Sequence, residues 1–289
     1  MSRALKAQKP ETVKMAKPKF MISGAPNVGK TWVSLDFPAV YYIDVENGAT
    51  RPQYVSKLKK AGGVYFGREQ GAQDFNTVIE EIITLATVKH DYRTLVIDSF
   101  SKLYNTAAAI SEEKVGSDFG KDKKEANRPT RKLMRWLENV DMNVILICHA
   151  KDKWAAGEVV GTTFDGYAKL EYDLDLWLEV QLRGTQRVSM IRKTRLEGFP
   201  LNTSFPWCYE EFAKRYGQEV IERAGDVFTP ATPAQLGELN KLLEVVKLAE
   251  GEKEKWLSKA GVDEFSDMAT DTIQKCIDYL KNQMAKAAA

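Results

Sequence analysis

Short apolar runs alternate with helix-length segments along most of the chain. Four of these runs are apolar at consecutive positions, as expected for strands that are buried on both faces of a parallel sheet. Segments 73–89 and 130–140 have the length and pattern of helices that cover such a sheet. The alternation predicts an α/β fold with a mostly parallel central sheet. The four runs are KFMISG, VYYIDVE, TLVIDS and NVILICHA.

The later part of this region departs from the pattern in three places. The runs LEVQL and RVSMIRK are joined by the turn-like residues 183–186, which predicts an antiparallel hairpin at the edge of the sheet. Segments 111–129 and 151–166 carry neither a strand nor a helix pattern, so both are predicted to be long loops. Loops of that length in a compact domain are usually functional or disordered.

Near residue 226 the pattern becomes purely helical. Residues 232–235, with the sequence TPAQ, form a capping box with proline at the first helical position. We predict a flexible basic tail over residues 1–18, a core over 19–225, and a linker with a small helical domain over 226–289. Three helices are marked by apolar residues at helical spacing: Leu236, Leu239, Leu243 and Val246; Trp256 and Leu257; and Ile273, Ile277, Leu280 and Met284.

Composition limits the kind of protein further. The chain has 289 residues, 44% of them hydrophobic, which is enough for one large domain and a small one. The formal net charge is only +2, although residues 1–20 carry six basic residues against one glutamate. Three cysteines without close spacing argue against a zinc site or a disulfide framework and favour a reducing cytoplasm. No apolar stretch approaches 18 residues, so no membrane association is predicted.

The clearest chemical signal follows the first apolar run. Residues 24–31 have the sequence GAPNVGKT, which fits the phosphate-binding pattern G-x-x-x-x-G-K-[ST] without a mismatch. The two glycines let the backbone curl so that its N–H groups point at phosphate oxygens. The lysine is expected to reach the β- and γ-phosphates, and the threonine hydroxyl to ligate Mg²⁺. The predicted phosphate-binding residues are Gly24, Ala25, Pro26, Asn27, Val28, Gly29, Lys30 and Thr31.

Two acidic residues end other predicted strands. Asp98 ends the run TLVID, and a carboxylate at the tip of a buried strand beside a phosphate-binding loop is expected to hold Mg²⁺. The next residue is Ser99, so a water-activating glutamate has to come from another strand. Glu46 ends the run VYYIDVE and is the candidate general base, with a surface glutamate as the alternative.

The order of these segments resembles the RecA-like recombinase core. GAPNVGKT, YYIDVENGA, TLVIDSFSKL and NVILICHAK match that core in order and spacing, and the resemblance covers roughly residues 18–207. It implies a P-loop ATPase that uses ATP and Mg²⁺, with His149 as a sensor of the γ-phosphate. It further implies that Tyr54 stacks on adenine, and that Lys193 and Arg195 enter the ATP site of a neighbouring subunit.

Within that family, the short core and small helical tail are most similar to phage-encoded RecA-like single-strand annealing proteins of the Sak type. This resemblance implies a protein of the bacterial host cytoplasm that assembles as a ring or filament on single-stranded DNA. It places segments 111–129 and 151–166 at the DNA. The second segment offers two cations for phosphates and one aromatic face for a base. These DNA-contact candidates are Lys151, Lys153 and Trp154.

Other functions remain open at this point. A hexameric helicase or translocase uses the same core, and a small-molecule phosphotransferase would need a mobile lid, for which segment 111–129 is the candidate. Residues 230–289 carry eight lysines against ten acidic residues, a poor match for DNA phosphates. The tail is therefore predicted to dock a protein, either a single-strand DNA-binding protein or a neighbouring subunit.

Overall fold

The computed structural model describes residue 9 and residues 14–48, 50–115 and 121–287. An eight-stranded sheet forms its centre, in the order β10-β9-β8-β1-β5-β4-β2-β3. A separate two-stranded hairpin is formed by β6 (Ala150–Ala155) and β7 (Glu158–Phe164). The strands of the sheet are β1 (Lys19–Ser23), β2 (Val40–Asp44), β3 (Val64–Phe66), β4 (Thr94–Asp98), β5 (Asn143–Ile147), β8 (Leu176–Arg183), β9 (Gln186–Thr194) and β10 (Ser204–Pro206).

Six neighbouring strands, from β8 across to β3, run parallel, whereas β8–β9 and β9–β10 are antiparallel. The predicted α/β fold with a mostly parallel sheet is confirmed, and so is the hairpin predicted around residues 183–186. Both β5 and β4 lie between β1 and β2, so the chain skips two positions after β1. We call the edge where β1, β2, β4 and β5 end the carboxyl edge, and the edge where they begin the amino edge.

Helices cover both faces of the sheet and enclose two apolar clusters. The cluster on one face contains Val78, Leu137 and Leu146, and the cluster on the other contains Phe20, Phe37 and Phe212. The helices are α1 (Lys30–Ser34), α2 (Pro52–Lys60), α3 (Phe75–Thr87), α4 (Phe100–Val115), α5 (Lys121–Asn139), α6 (Leu170–Asp173), α7 (Tyr209–Tyr216) and α8 (Gln218–Glu222). None of the helices in the described ranges combines the length and apolar composition needed to cross a bilayer.

Both segments predicted as long loops were assigned wrongly. Residues 111–115 belong to α4 and residues 121–129 to α5, while residues 116–120 lie outside the described residues. Lysine, glutamate and alanine favour a helix even where no apolar period marks one. Segment 151–166 is mostly the β6–β7 hairpin, whose turn at Ala156 and Gly157 has positive φ at both residues. Because nearly all of this hairpin is exposed, its sequence shows no apolar alternation.

The last helices are α9 (Pro233–Val245), α10 (Glu252–Ala260) and α11 (Thr270–Ala287). They enclose a third apolar cluster, which includes Leu239 and Ile277. The predicted capping box is present: Thr232 Oγ1 accepts from the Gln235 amide, and the Gln235 side chain accepts from the Thr232 amide. We propose a domain boundary near residue 226 on the basis of this separate cluster.

Lys14 and Lys17, which precede β1, both contact the core. Lys17 is 1% exposed, and its ammonium donates to the carbonyls of Ile221 at 3.0 Å and Arg223 at 2.7 Å. Lys14 forms ion pairs with Asp141 at 3.1 Å and with Asp226 at 2.5 Å. The flexible tail predicted over residues 1–18 therefore does not extend to these two lysines, and most residues before Lys14 lie outside the described ranges.

Candidate nucleotide-binding site

The GAPNVGKT loop joins β1 to α1 at the carboxyl edge. Gly24 has φ +149° and Gly29 has φ +93°, conformations that side chains other than glycine rarely adopt. A Cβ atom on Gly24 would lie 2.4 Å from the carbonyl oxygen of Val180 on β8. The first glycine is therefore required both by its backbone angle and by the close approach of the next strand. This geometry makes a compact cradle of the kind that holds phosphates.

Lys30 lies folded back on this loop. Its ammonium donates to the carbonyls of Gly24 and Ala25, both at 2.8 Å. Burial lowers the pKa of Lys30 from its usual value. The two carbonyls hold the cation in the position where phosphate oxygens would replace them, as predicted for a lysine of this motif.

Thr31 and Asp98 meet at the ends of α1 and β4. The Thr31 hydroxyl donates to Asp98 Oδ2 at 2.5 Å, and the Tyr42 hydroxyl donates to the same oxygen at 2.9 Å. Burial raises the pKa of Asp98 to about 6, although these two hydrogen bonds oppose the shift. A hydroxyl and a carboxylate that converge in this way suit Mg²⁺, which prefers few protein oxygens and completes its shell with water and phosphate. The donor set therefore fits the cation.

Glu46 is fixed between two polar side chains. Its backbone N–H donates to the Asp98 carbonyl at 3.3 Å, because β2 and β4 are neighbours. Its Oε1 atom accepts from the Ser99 hydroxyl at 2.5 Å and lies 2.6 Å from His149 Nε2. Burial opposes ionisation of Glu46, but the Ser99 and His149 contacts hold its pKa below the usual value. The carboxylate is thus ionised at neutral pH and can accept a proton.

These side chains line one cavity of about 600 Å³. The structure brings together Glu46, Lys30, Thr31, Asp98 and His149, which the sequence assigned separately. Tyr54 also lines this cavity and lies 6.2 Å, between ring centroids, from the Trp32 ring. The same cavity is also lined by Trp32, Arg51 and Arg187, which no sequence pattern marks as site residues. Trp32 directly follows the loop in the sequence, whereas Arg51 and Arg187 reach it only in the folded chain.

Lys193 and Arg195 do not line the cavity. Strand β9 runs antiparallel to β8, so its last residues lie toward the amino edge, with Lys193 paired to Trp177. The Lys193 ammonium donates to the Leu174 carbonyl, and the Arg195 guanidinium donates to the Tyr172 carbonyl. Neither residue therefore reaches the ATP site of its own chain, and their predicted role in a neighbour's site stays a prediction.

The β6–β7 hairpin begins directly after His149. Trp154 is 64% exposed, and Lys151 and Lys153 are exposed beside it. The Lys151 ammonium forms an ion pair with Asp165 at 3.0 Å. The three predicted DNA-contact residues thus share one strand that projects from the core. Their role as DNA contacts stays a prediction.

The chain resembles one known domain family and some solved structures. The family model of the AAA domain matches residues 16–196, which is more than half of the chain. No curated protein matches it. Among solved structures, a crystal structure of the RadB recombinase aligns with a TM-score of 0.42 and 16% identity, over 65% of this chain and 86% of that one. By its family match and its phosphate-binding loop, the chain belongs to the AAA domain family of P-loop ATPases.

Proposed function

We propose that the protein binds and hydrolyses ATP, assembles on single-stranded DNA, and promotes annealing or homologous recombination. The observation that carries this proposal is a chain of hydrogen bonds between the catalytic cavity and the exposed β6–β7 hairpin. The hairpin carries the predicted DNA contacts, and the cavity carries the predicted hydrolytic groups. A protein in which the bound nucleotide controls the affinity for DNA needs such a connection.

Hydrolysis is assigned to groups with suitable positions and charges. The GAPNVGKT loop and Lys30 bind the phosphates, and Glu46 accepts the proton of the attacking water. Bound Mg²⁺, held by Thr31 and Asp98, would neutralise charge on the β- and γ-phosphates. Ser99 and His149 hold the Glu46 carboxylate in place, and His149 is positioned to exchange this contact for the γ-phosphate.

The connection to the hairpin passes through Ser101. The His149 backbone N–H donates to the Ser101 hydroxyl at 2.8 Å, and that hydroxyl donates to the Asp165 carbonyl at 2.5 Å. The Asp165 N–H donates in turn to the His149 carbonyl at 2.8 Å. The two ends of the hairpin are therefore clamped to each other and to α4. A shift of His149 on ATP binding would move both ends of the hairpin.

The hairpin itself has the chemistry of a single-strand binding element. Trp154 offers a flat face for a base, Lys153 offers a cation for a phosphate, and Val159 and Val160 add exposed apolar surface. Lys151 is bound to Asp165, so a DNA phosphate would compete with that carboxylate. A movement of Asp165 on ATP binding would release Lys151 for a DNA phosphate and so change the affinity for DNA.

Assembly into a ring or filament rests on Lys193 and Arg195. Both lie away from the cavity of their own chain, so they could act in catalysis only by leaving the Leu174 and Tyr172 carbonyls for the site of a neighbouring subunit. A mixture of inactive Lys193→Ala and inactive Glu46→Gln chains should regain part of the ATPase activity, because some mixed interfaces retain both groups. A mixture no more active than its parts would contradict the proposal, as would full activity of isolated monomers.

The last helices are proposed to dock a protein, such as a single-strand DNA-binding protein. A chain ending after Thr229 keeps Phe228, which packs edge-on against Trp136 at 5.5 Å between ring centroids. It should bind ATP and bare single strands as the full chain does, and lose only recruitment to strands coated with that partner. Loss of binding to bare DNA would contradict this assignment.

One set of assays tests the proposed function against its alternatives. ATP hydrolysis is measured with and without single-stranded DNA, and annealing of complementary strands is measured beside separation of a duplex. Stimulated hydrolysis with annealing supports the proposal. Separation of the duplex at the cost of ATP would favour a helicase or translocase. Phosphate transfer to a small molecule without any response to DNA would favour a phosphotransferase.

A further inference from the structure

Arg187 is a basic residue of the nucleotide cavity that the sequence patterns do not reveal. It is the second residue of β9, directly after the turn that follows β8, so it lies at the carboxyl edge. Its side chain lies on the phosphate-binding loop: a Cβ atom on Gly29 would be 2.1 Å from Arg187 Nε. The guanidinium thus covers the second glycine of the GAPNVGKT loop.

The backbone of Arg187 is fixed, while its charged group has no hydrogen-bond acceptor among the residues that the structure describes. Its carbonyl accepts from the Trp207 N–H at 2.9 Å, and it pairs with Leu182 on β8. Within the described part of the chain, no carboxylate or carbonyl accepts a hydrogen bond from its guanidinium. By contrast, Arg192 on the same strand binds Glu179 at 2.5 Å. A guanidinium held in this way over a phosphate-binding loop can donate its hydrogen bonds to a phosphate group.

The order of the sheet indicates which phosphate it meets. Asp98 and His149 follow β4 and β5, which lie on one side of β1, whereas Arg187 comes from β9 on the other side. The γ-phosphate is expected at Asp98 and His149. The adenine is expected at Tyr54, beside Trp32, and the Lys57 ammonium over the Trp32 ring lies close enough to Arg187 for the two charges to interact. A nucleotide that extends from Asp98 to Tyr54 therefore brings its α-phosphate toward Arg187.

We propose that Arg187 binds the α-phosphate of the nucleotide held by its own chain, through two parallel N–H···O hydrogen bonds. This assignment rests on the ATP binding proposed above. Because ATP and ADP share the α-phosphate, the contact stabilises both equally. Arg187 is therefore a binding residue that sets affinity and Michaelis constant, and it does not alter the rate of the bound complex.

The test compares Arg187→Ala, Arg187→Lys and Arg183→Ala. Arg183 is an exposed arginine of the same hairpin that does not line the cavity, so it is a matched control. ATP, ADP, AMP and adenosine compete against fluorescent ADP. Loss of charge-assisted hydrogen bonds predicts a decrease of about tenfold to a hundredfold in affinity of Arg187→Ala for ATP, ADP and AMP alike. Adenosine affinity and kcat at saturating ATP stay as in wild type, Arg187→Lys restores part of the loss, and Arg183→Ala changes nothing.

Each other result overturns the assignment. A loss for ATP alone would place Arg187 at the γ-phosphate, and an equal loss for adenosine would place it at the base or ribose. Wild-type affinity of Arg187→Ala for all ligands would show that the arginine has no binding role. If the wild-type chain itself bound neither ATP nor ADP, the proposed function would fail first, and that result is distinct from a failure at Arg187.

Discussion

The two edges of the central sheet both collect charged side chains, but they use them differently. At the amino edge, every donor of Lys17 and Lys19 that the structure describes is directed at backbone carbonyls. Asp141 accepts two hydrogen bonds from Arg223, at 2.6 and 2.8 Å. At the carboxyl edge, the charged groups face a cavity of about 600 Å³ and touch one another or the phosphate-binding loop.

This difference separates structural charges from functional ones. Burial lowers the pKa values of Lys17 and Lys19 to about 8, yet both ammonium groups bind backbone carbonyls at the ends of α5 and α8 and do not line the cavity. Burial also raises the pKa of Asp98 to about 6, and there the carboxylate borders open volume. A shifted pKa alone therefore does not identify a functional site. Groups with shifted pKa values that also border a cavity are the candidates for a functional site.

The largest expected effect is the loss of nucleotide binding in Lys30→Ala. The substitution removes the only side-chain cation of the GAPNVGKT loop, and the β- and γ-phosphates then lose their charged partner. Binding of fluorescent ATP should become undetectable, while the melting temperature without nucleotide stays close to wild type. Lys17→Ala, at the amino edge, should do the reverse: it should lower the melting temperature and leave ATP affinity intact in the folded fraction. If both variants lost binding and stability together, the two edges would not differ as described.

The next effect is on catalysis at Glu46. Glu46→Gln keeps the size of the side chain but removes the proton acceptor, so turnover should fall by about a hundredfold or more. ATP affinity should remain within a few-fold of wild type. Glu179→Gln is the control, since that glutamate binds Arg192 outside the cavity. Turnover of Glu46→Gln close to that of Glu179→Gln would remove Glu46 from the mechanism.

The carboxyl edge was largely predictable from the sequence, and the physical reason is local. Asp98 and Glu46 follow buried apolar strands, and the phosphate-binding loop has a fixed spacing set by its own backbone geometry. Parallel strands that end at one edge then bring these groups together without further information. The pairing of Glu46 with both Ser99 and His149 requires β2 and β5 to flank β4, an order that short-range patterns do not contain.

The amino edge, the exposed hairpin and Arg187 were not predictable in the same way. Lys17 looked like part of a solvated tail because its partners, the carbonyls of Ile221 and Arg223, lie about 200 positions later. The β6–β7 hairpin was not predicted because two exposed strands do not require alternating apolar residues. The position of Arg187 was not predicted because an arginine after a turn is common, and only the fold places its side chain against Gly29. Each case depends on contacts between distant residues.

A smaller effect is expected where the carboxyl edge extends into the hairpin. If a base stacks on Trp154, Trp154→Ala should weaken binding of single-stranded DNA by about 1–3 kcal/mol. The effect should be larger with a non-hydrolysable ATP analogue than with ADP, because His149 connects the hairpin to the cavity. Replacing Lys151 and Lys153 should weaken binding to all sequences alike and flatten its salt dependence. Wild-type binding by Trp154→Ala in both nucleotide states would show that the hairpin does not contact DNA.

The smallest effect concerns the amino edge and its dependence on pH. Burial opposes ionisation of Asp141, but hydrogen bonds from Arg223, the Asp226 amide and Lys14 hold its pKa well below the usual value. A carboxyl group with a lowered pKa in the folded state stabilises the protein above the pKa of the unfolded chain, about 3.9, and loses that contribution as the pH falls below it. Asp141→Asn should therefore lower the free energy of unfolding by about 1–3 kcal/mol at pH 7.

The difference between Asp141→Asn and wild type should shrink as the pH falls below about 4, because the carboxyl group of the unfolded wild-type chain then binds a proton while the folded one stays ionised, which favours the unfolded state. Denaturant unfolding between pH 7 and pH 3 measures it. Asp91→Asn is the control, an exposed aspartate at the same edge, and it should shift stability by no more than about 0.5 kcal/mol. ATP affinity should be unchanged in both variants, since neither residue lines the cavity. A loss of ATP affinity in Asp141→Asn at full stability would mean that Asp141 takes part in function, and its assignment as a structural charge would fail.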